Sequence, residues 1–217
     1  MNGKTDTISI ETKEKLYTWF ASVYLHEPAE NQLKVFLNSE TMAFFSSIFK
    51  GSPCRKALKE LAAYFHKATI EDLRTEFNSL FVVPNKGSYV PPYESCFREK
   101  NGNDFGNLWG NTTADVKKFY IETGNDVNDY KGIFAPDHIG VELAFVAKLC
   151  GIELGYLRQQ DSTNADKTES IRRTFYETHI GRWVENYAKA VKASASSHFY
   201  GNLNVLLIQF LGLDFRN

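Results

Sequence analysis

The chain has 217 residues, 25 basic against 26 acidic, and a net charge of −1; 43% of it is hydrophobic, including 17 Phe and 11 Tyr. That much apolar material excludes disorder of the whole chain, because its burial can offset chain entropy. The balanced charge, without a long block of one sign, argues against a dedicated nucleic-acid binder, which needs a basic face to displace counterions from phosphates.

Helical periodicity runs through most of the chain and strand-like alternation is scarce. Leu16, Phe20, Val23 and Tyr24 form one stripe of a first helix. Ser39 is placed to cap a short helix ending near Phe49. Ser52 and Pro53 read as an N-cap followed by a first-turn proline, opening a helix to about Ala68 that buries Leu58, Leu61, Ala62 and Phe65. Thr69 and Asp72 have the spacing of a capping box and start a helix to about Leu80. The pattern then breaks. Around residues 82–111, Pro84, Gly87, Pro91, Pro92, Gly102, Gly106 and Gly110 predict a long irregular loop. Such a loop inside a compact domain points to function, and Tyr89, Tyr93, Phe97, Phe105 and Trp109 give it something to pack.

Thr112, with Asp115 following, is placed to cap the next helix, which Gly124 stops. The polar residues 125–131 read as a hinge, which would permit domain swapping between monomer and dimer. Pro136 opens the most apolar helix, with Ile139, Leu143, Val146, Cys150 and Leu154 on one stripe broadened by Val141, Phe145 and Leu149. Residues 161–167 read as a polar loop. Phe175, Tyr176, His179, Ile180, Trp183, Val184 and Tyr187 recur at three and four in the helix after it, which makes His179 a packed core histidine. A last helix covers residues 197–211 and ends at Gly212. Short links between amphipathic helices predict an all-α, single-domain helical bundle spanning residues 1–217.

Cys54, Cys96 and Cys150 are too few and too widely spaced for a disulfide framework and read as free thiols in a reducing compartment. The N-terminal segment has no apolar signal-peptide core. The apolar stretches 139–154 and 203–213 are too short or too mixed to span a bilayer, so the expected location is cytoplasmic, without membrane insertion.

No nucleophile elbow, His-Glu-x-x-His zinc motif or phosphate-binding glycine loop occurs. The nearest approach to a catalytic constellation is Asp137, His138 and Glu142, the last two sharing a helical face at i, i+4. These could hold a metal and make a small metal- or nucleotide-dependent enzyme; Asp137 could instead cap the helix and His138 bond a neighbouring loop; or the group could form a recognition surface. Around Tyr93, Pro91 and Pro92 stiffen the backbone, Tyr93 offers an amphipathic anchor and Glu94 a carboxylate able to take an arginine fork. A rigid structural loop with Tyr93 plugged into the core is the alternative.

Three segments in order carry a resemblance: Glu76-Phe77-Asn78-Ser79-Leu80-Phe81-Val82-Val83-Pro84, then Pro91-Pro92-Tyr93-Glu94-Ser95, then Pro136-Asp137-His138-Ile139-Gly140-Val141-Glu142-Leu143. With Trp109-Gly110 leading into Thr112, His179 with Trp183, and Phe199-Tyr200 opening the last helix, the sequence resembles the TorD/DmsD/NarJ family of redox-enzyme maturation chaperones over most of residues 70–211. The resemblance implies an all-helical cytoplasmic chaperone, not an enzyme and without a cofactor of its own. Its partners would be the twin-arginine signal peptide and the apo catalytic subunit of a molybdenum-cofactor oxidoreductase, held for cofactor insertion while export is delayed. It carries the peptide-binding role to Tyr93, Glu94, Ser95, Trp109, Pro136, Asp137, His138 and Glu142. The chemistry of those residues fits: two guanidinium forks and an apolar run need carboxylates beside a hydrophobic surface. Because Tyr93 and Asp137 lie outside the helical stripes, replacing either is expected to leave the bundle folded.

Overall fold

The computed structural model describes residues 8–31, 38–100, 102, 104–124, 134–194 and 196–215. The hinge expected at residues 125–131 lies outside them. The described residues are all-α, with no β-strand, and Tyr93 and His138 form an isolated antiparallel bridge. None of their helices is long and apolar enough to cross a membrane.

The helices are α1 (Ile10–Leu25), α2 (Ser39–Ile48), α3 (Ser52–Phe65), α4 (Ile70–Phe77), α5 (Glu94–Arg98), α6 (Asn111–Glu122), α7 (Ile139–Arg158), α8 (Ser162–Phe175), α9 (Gly181–Ala193) and α10 (Phe199–Phe215). α4 runs on into a π-helical turn, Asn78–Val82, and α8 joins α9 through another, Tyr176–Ile180. The chain divides into two compact units. One comprises Met1–Leu25 and Pro92–Val184 with Asn217, the other His26–Pro91 and Glu185–Arg216.

In the first unit α7 is the central element. Ile139, Leu143, Phe145, Val146, Leu149 and Cys150 are completely buried, as their helical stripe predicts. α1 packs along α7, and Gly140 makes the close approach possible: a Cβ there would lie 2.6 Å from Leu25 Cγ and 3.2 Å from the Ala21 carbonyl oxygen. On another side α8 packs against α7, joined by a buried Arg172–Glu153 ion pair at 3.3 Å. The π turn after α8 carries His179 onto Phe175 and Phe119, with ring centroids 5.0 and 5.7 Å away.

The second unit packs α3 against α10 through edge-on Phe65 and Phe199, 5.5 Å apart. Phe81 meets Tyr200 edge-on at 4.8 Å. Buried Glu76 closes the start of α10: its carboxylate accepts the backbone N–H groups of His198 at 2.9 Å, Phe199 at 3.0 Å and Tyr200 at 2.8 Å. Those donors have no intrahelical acceptor, so a carboxylate at the positive end of the helix satisfies them.

Several helix starts differ from the sequence reading. Thr69 and Asp72 form the expected reciprocal capping box. Asn38 takes the role expected of Ser39, accepting from the Glu40 and Thr41 amides. Gly51 precedes the Ser52-Pro53 start at φ +100°. Residues 161–167 are not a loop: Asp161 caps α8 and accepts from the Asn164 amide at 3.1 Å. Few apolar residues mark the solvent-facing first turns of α8, so periodicity gave no signal there.

Candidate functional site

All the expected site residues fall in the first unit, and the two motif segments are fastened together there. The Ile139 amide donates to the Pro92 carbonyl and the Glu94 amide to the Asp137 carbonyl, each at 2.9 Å. Asp137 adds a side-chain bond, its Oδ2 accepting the Ser95 amide at 2.9 Å across 42 positions of sequence. His138 caps α7 by accepting the Gly140 amide on Nδ1 at 3.0 Å, and its ring meets Tyr93 edge-on at 5.1 Å. The cap is thus His138, one residue beyond Asp137, and Pro136 sits in the turn before it, where the Tyr120 hydroxyl donates to its carbonyl at 3.0 Å.

Glu94 begins α5, a single helical turn within the stretch read as irregular. Its carboxylate accepts Arg98 Nη1 on Oε1 at 2.7 Å, one turn on, and faces His179 Nδ1 from Oε2 at 3.1 Å. Glu142, one turn into α7, accepts Trp183 Nε1 on Oε2 at 3.1 Å and lies close enough to Glu94 for that carboxylate's charge to act on it. Burial, then the neighbouring charge of Glu94, raises the Glu142 carboxyl well above its ordinary value, which favours its neutral form. Burial also pushes His138 down to about 3, leaving a neutral ring able to accept on Nδ1. Cys96 is pushed up to about 11, by burial and then by Asp137.

Glu94, Ser95, Asp137, His138 and Glu142 are all buried, whereas Tyr93 and Pro136 are half-buried. A surface pair of carboxylates ready for arginine is therefore not what the fold presents. The carboxyls lie beneath the surface and hold it. Asp137 Oδ1, Glu142 Oε1 and the Ser95 hydroxyl are buried without a hydrogen-bonding partner among the described residues.

Trp109 is placed differently, 69% exposed and at φ +66°, a backbone region costly for a bulky side chain. Leu108 and Phe105 are also exposed. The loop carrying them is anchored at both ends: the Gly106 amide donates to the Cys96 carbonyl at 2.8 Å, and Glu99 Oε1 accepts the Thr112 amide at 2.6 Å. Glu99 thus supplies the cap for α6 that Thr112 was expected to give. A Cβ on Gly110 would run into the Glu99 carboxylate and push it off the Thr112 amide. Lys100 lies over Phe97 and Phe105, 5.2 and 5.6 Å from their centroids.

Asp137, His138 and Glu142 do not converge as ligands, and no group of three or more His, Cys, Asp or Glu among the described residues could hold a metal ion. His138 spends its available lone pair on the Gly140 amide. What the arrangement can do is fix two segments rigidly and display Tyr93, Pro136 and the Trp109 loop. Arg98, Glu99, His179 and Trp183 belong to this framework. Arg98 follows Glu94 at i+4, a spacing readable only once a helix is recognised there; His179 and Trp183 were legible as core but not as partners of carboxyls.

A model of the nitrate reductase delta subunit family matches residues 50–189. Curated proteins named chaperone protein TorD are similar along nearly the whole chain. That of Aeromonas salmonicida is 24% identical over 94% of this chain and 90% of its own length, and that of Vibrio parahaemolyticus 24% over 94% and 93%. The Escherichia coli protein is 22% identical over 97% and 98%. A crystal structure of a protein assigned to redox enzyme maturation in Archaeoglobus fulgidus shares the fold, with a TM-score of 0.52 at 22% identity, covering 92% of this chain and 93% of that one.

Proposed function

Since the chain belongs to the nitrate reductase delta subunit family, we propose that it is a cytoplasmic maturation chaperone for a molybdopterin oxidoreductase. It binds the twin-arginine leader of the catalytic subunit, the apo subunit, or both, assists cofactor insertion and delays export until folding is complete. The observation that carries this reading is the fastening of residues 92–95 to residues 137–139, which makes one rigid platform of two separate motif segments. The TorD relatives are named chaperones, a role that needs docking surfaces and no catalytic group. The burial of Glu94, Asp137, His138 and Glu142 supports docking over an open catalytic centre.

Within this reading Tyr93, Pro136 and Trp109 meet the partner at the surface, while Ser95, Asp137, His138 and Glu142 hold the platform from beneath. An exposed tryptophan on a tethered loop suits the apolar run of a leader. The test is titration of a labelled leader peptide, two arginines followed by an apolar run, against wild type, Tyr93→Ala and Trp109→Ala, with melting curves alongside. Both variants should melt near wild type and bind several-fold more weakly. Unchanged affinity in both, with intact folding, would place the leader elsewhere.

A further inference from the structure

We propose that the Glu94 carboxylate is a guanidinium receptor whose resident occupant, Arg98, gives way to an arginine of the bound partner. The displacement rests on the leader-binding reading above; the receptor itself rests on geometry.

Two acceptors converge on one nitrogen. Arg98 Nη1 lies 2.7 Å from Glu94 Oε1 and 3.0 Å from the Thr178 carbonyl oxygen. The rest of the Glu94 carboxyl is enclosed. His179 stands against Oε2 with its side chain 7% exposed, Glu142 of α7 lies near enough for the Glu94 charge to act on it, and the Glu94 side chain is itself 0% exposed. Only the side filled by Arg98 opens outward, for that side chain is 38% exposed. The way from solvent to the buried carboxylate is therefore the way the Arg98 stem now occupies.

The resident is lightly held. Among the described residues both of its hydrogen bonds fall on Nη1, and neither Nε nor Nη2 makes one. It sits on the last residue of a single-turn helix, where a change of side-chain rotamer withdraws it without moving the backbone. The receptor cannot stand empty at no cost. A buried carboxylate robbed of its cation is an uncompensated charge, and the partnerless Asp137 Oδ1 lies in the same buried neighbourhood, close enough for its charge to act on Glu142. The site thus demands a cation. The pairing of a carboxylate with a carbonyl favours a planar, weakly hydrated guanidinium over an ammonium.

The experiment uses the full chain with Arg98→Ala, and Arg98→Gln as second variant should alanine prevent folding. Three salts are compared at equal millimolar concentration in thermal melts: guanidinium, ammonium and sodium chloride. Guanidinium alone should raise the melting temperature of the variant towards that of wild type, leave wild type unchanged, and lose its effect when Glu94→Gln is added. In the second arm a leader peptide with paired arginines should bind the variant several-fold more tightly than wild type, while the same peptide with paired lysines gains nothing. Absence of either the selective rescue or the affinity gain overturns the proposal. Wild type that binds the leader, with no rescue and no gain, removes the receptor and leaves the leader-binding reading standing. If neither protein binds the leader, that reading falls, displacement falls with it, and the guanidinium rescue alone decides whether the receptor exists.

Discussion

Replacing Asp137 with alanine tests whether the buried carboxylate is a structural fastener. The substitution removes the acceptor of the Ser95 amide, a 2.9 Å bond in a place water does not reach, and leaves that donor unsatisfied. A hydrogen bond to a charged group is worth about 1.5–3 kcal/mol. Part of this is returned, because the Asp137 carboxylate is itself buried with Oδ1 unpartnered, and its removal also removes that desolvation cost. The net cost should be about 2 kcal/mol, within the 5–15 kcal/mol or so of an ordinary domain, so the protein still folds. With a urea m-value of about 2 kcal/mol/M, the unfolding midpoint should fall by roughly 1 M. Asp137→Asn keeps an oxygen for the Ser95 amide without the charge, and its midpoint should move less than half as far. Urea unfolding followed by circular dichroism gives both numbers. An alanine variant that unfolds at the wild-type midpoint, or an asparagine variant as damaged as the alanine one, would refute the fastening argument. The outcome governs how peptide binding is read, since affinity lost in Asp137→Ala reports a loosened platform as much as a lost contact.

Glu142→Gln should reshape the dependence of stability on pH. Folding holds the Glu142 proton more tightly than the unfolded chain does, chiefly through burial, so its contribution is complete below about 4.5 and is lost as pH rises towards the higher folded value. The slope reaches at most about 1.4 kcal/mol per pH unit, and the amide variant should gain on wild type as pH rises, in urea melts across the range. His138 acts at the other end: held neutral with its pKa down at about 3, it gives stability that is lost as pH falls from 6.5 towards that value. His138→Asn, with an oxygen for the Gly140 amide, should flatten that acid limb. In the second unit, Glu76→Gln replaces the carboxylate that holds the amides of His198, Phe199 and Tyr200 at the start of α10 and should cost about 2–3 kcal/mol by the same urea assay.

The framework of helices was legible because its signals are local. Thr69 and Asp72 make a capping box from residues three apart, and α7 declares itself through a stripe that turns out completely buried. Even the positions of His179 and Trp183 in the core followed from their spacing in an aromatic stripe. The site was legible in its membership and not in its exposure. Acidic side chains are almost never fully buried unless paired, so Glu94 and Asp137 read as surface carboxylates. Their pairing depends on residues up to 85 positions away, as in the contact of Glu94 with His179, and on an amide at Ser95 that no side-chain pattern records. The α5 turn was hidden because prolines and glycines on both sides of it outweighed a five-residue helix.

Three buried carboxyls in one neighbourhood are a poor way to make a domain stable, since well-packed apolar residues of similar volume commonly do as well or better. Their value must lie in direction. Each carboxyl bonds a group that an apolar side chain could not fix: Asp137 the Ser95 amide, Glu94 the Arg98 guanidinium and the His179 ring, Glu142 the Trp183 indole. Together they tie α5, the turn before α7, α7 itself and the α8–α9 junction to one another through bonds that tolerate little displacement. A platform built this way keeps Tyr93 and Pro136 in register while leaving the Arg98 side open to solvent. The same carboxyls make the assembly sensitive to what approaches that side. Removing or replacing one cation changes the charge balance of a buried carboxylate, Glu94, whose charge acts on Glu142 of α7. Occupancy at the surface is thereby coupled to the central helix.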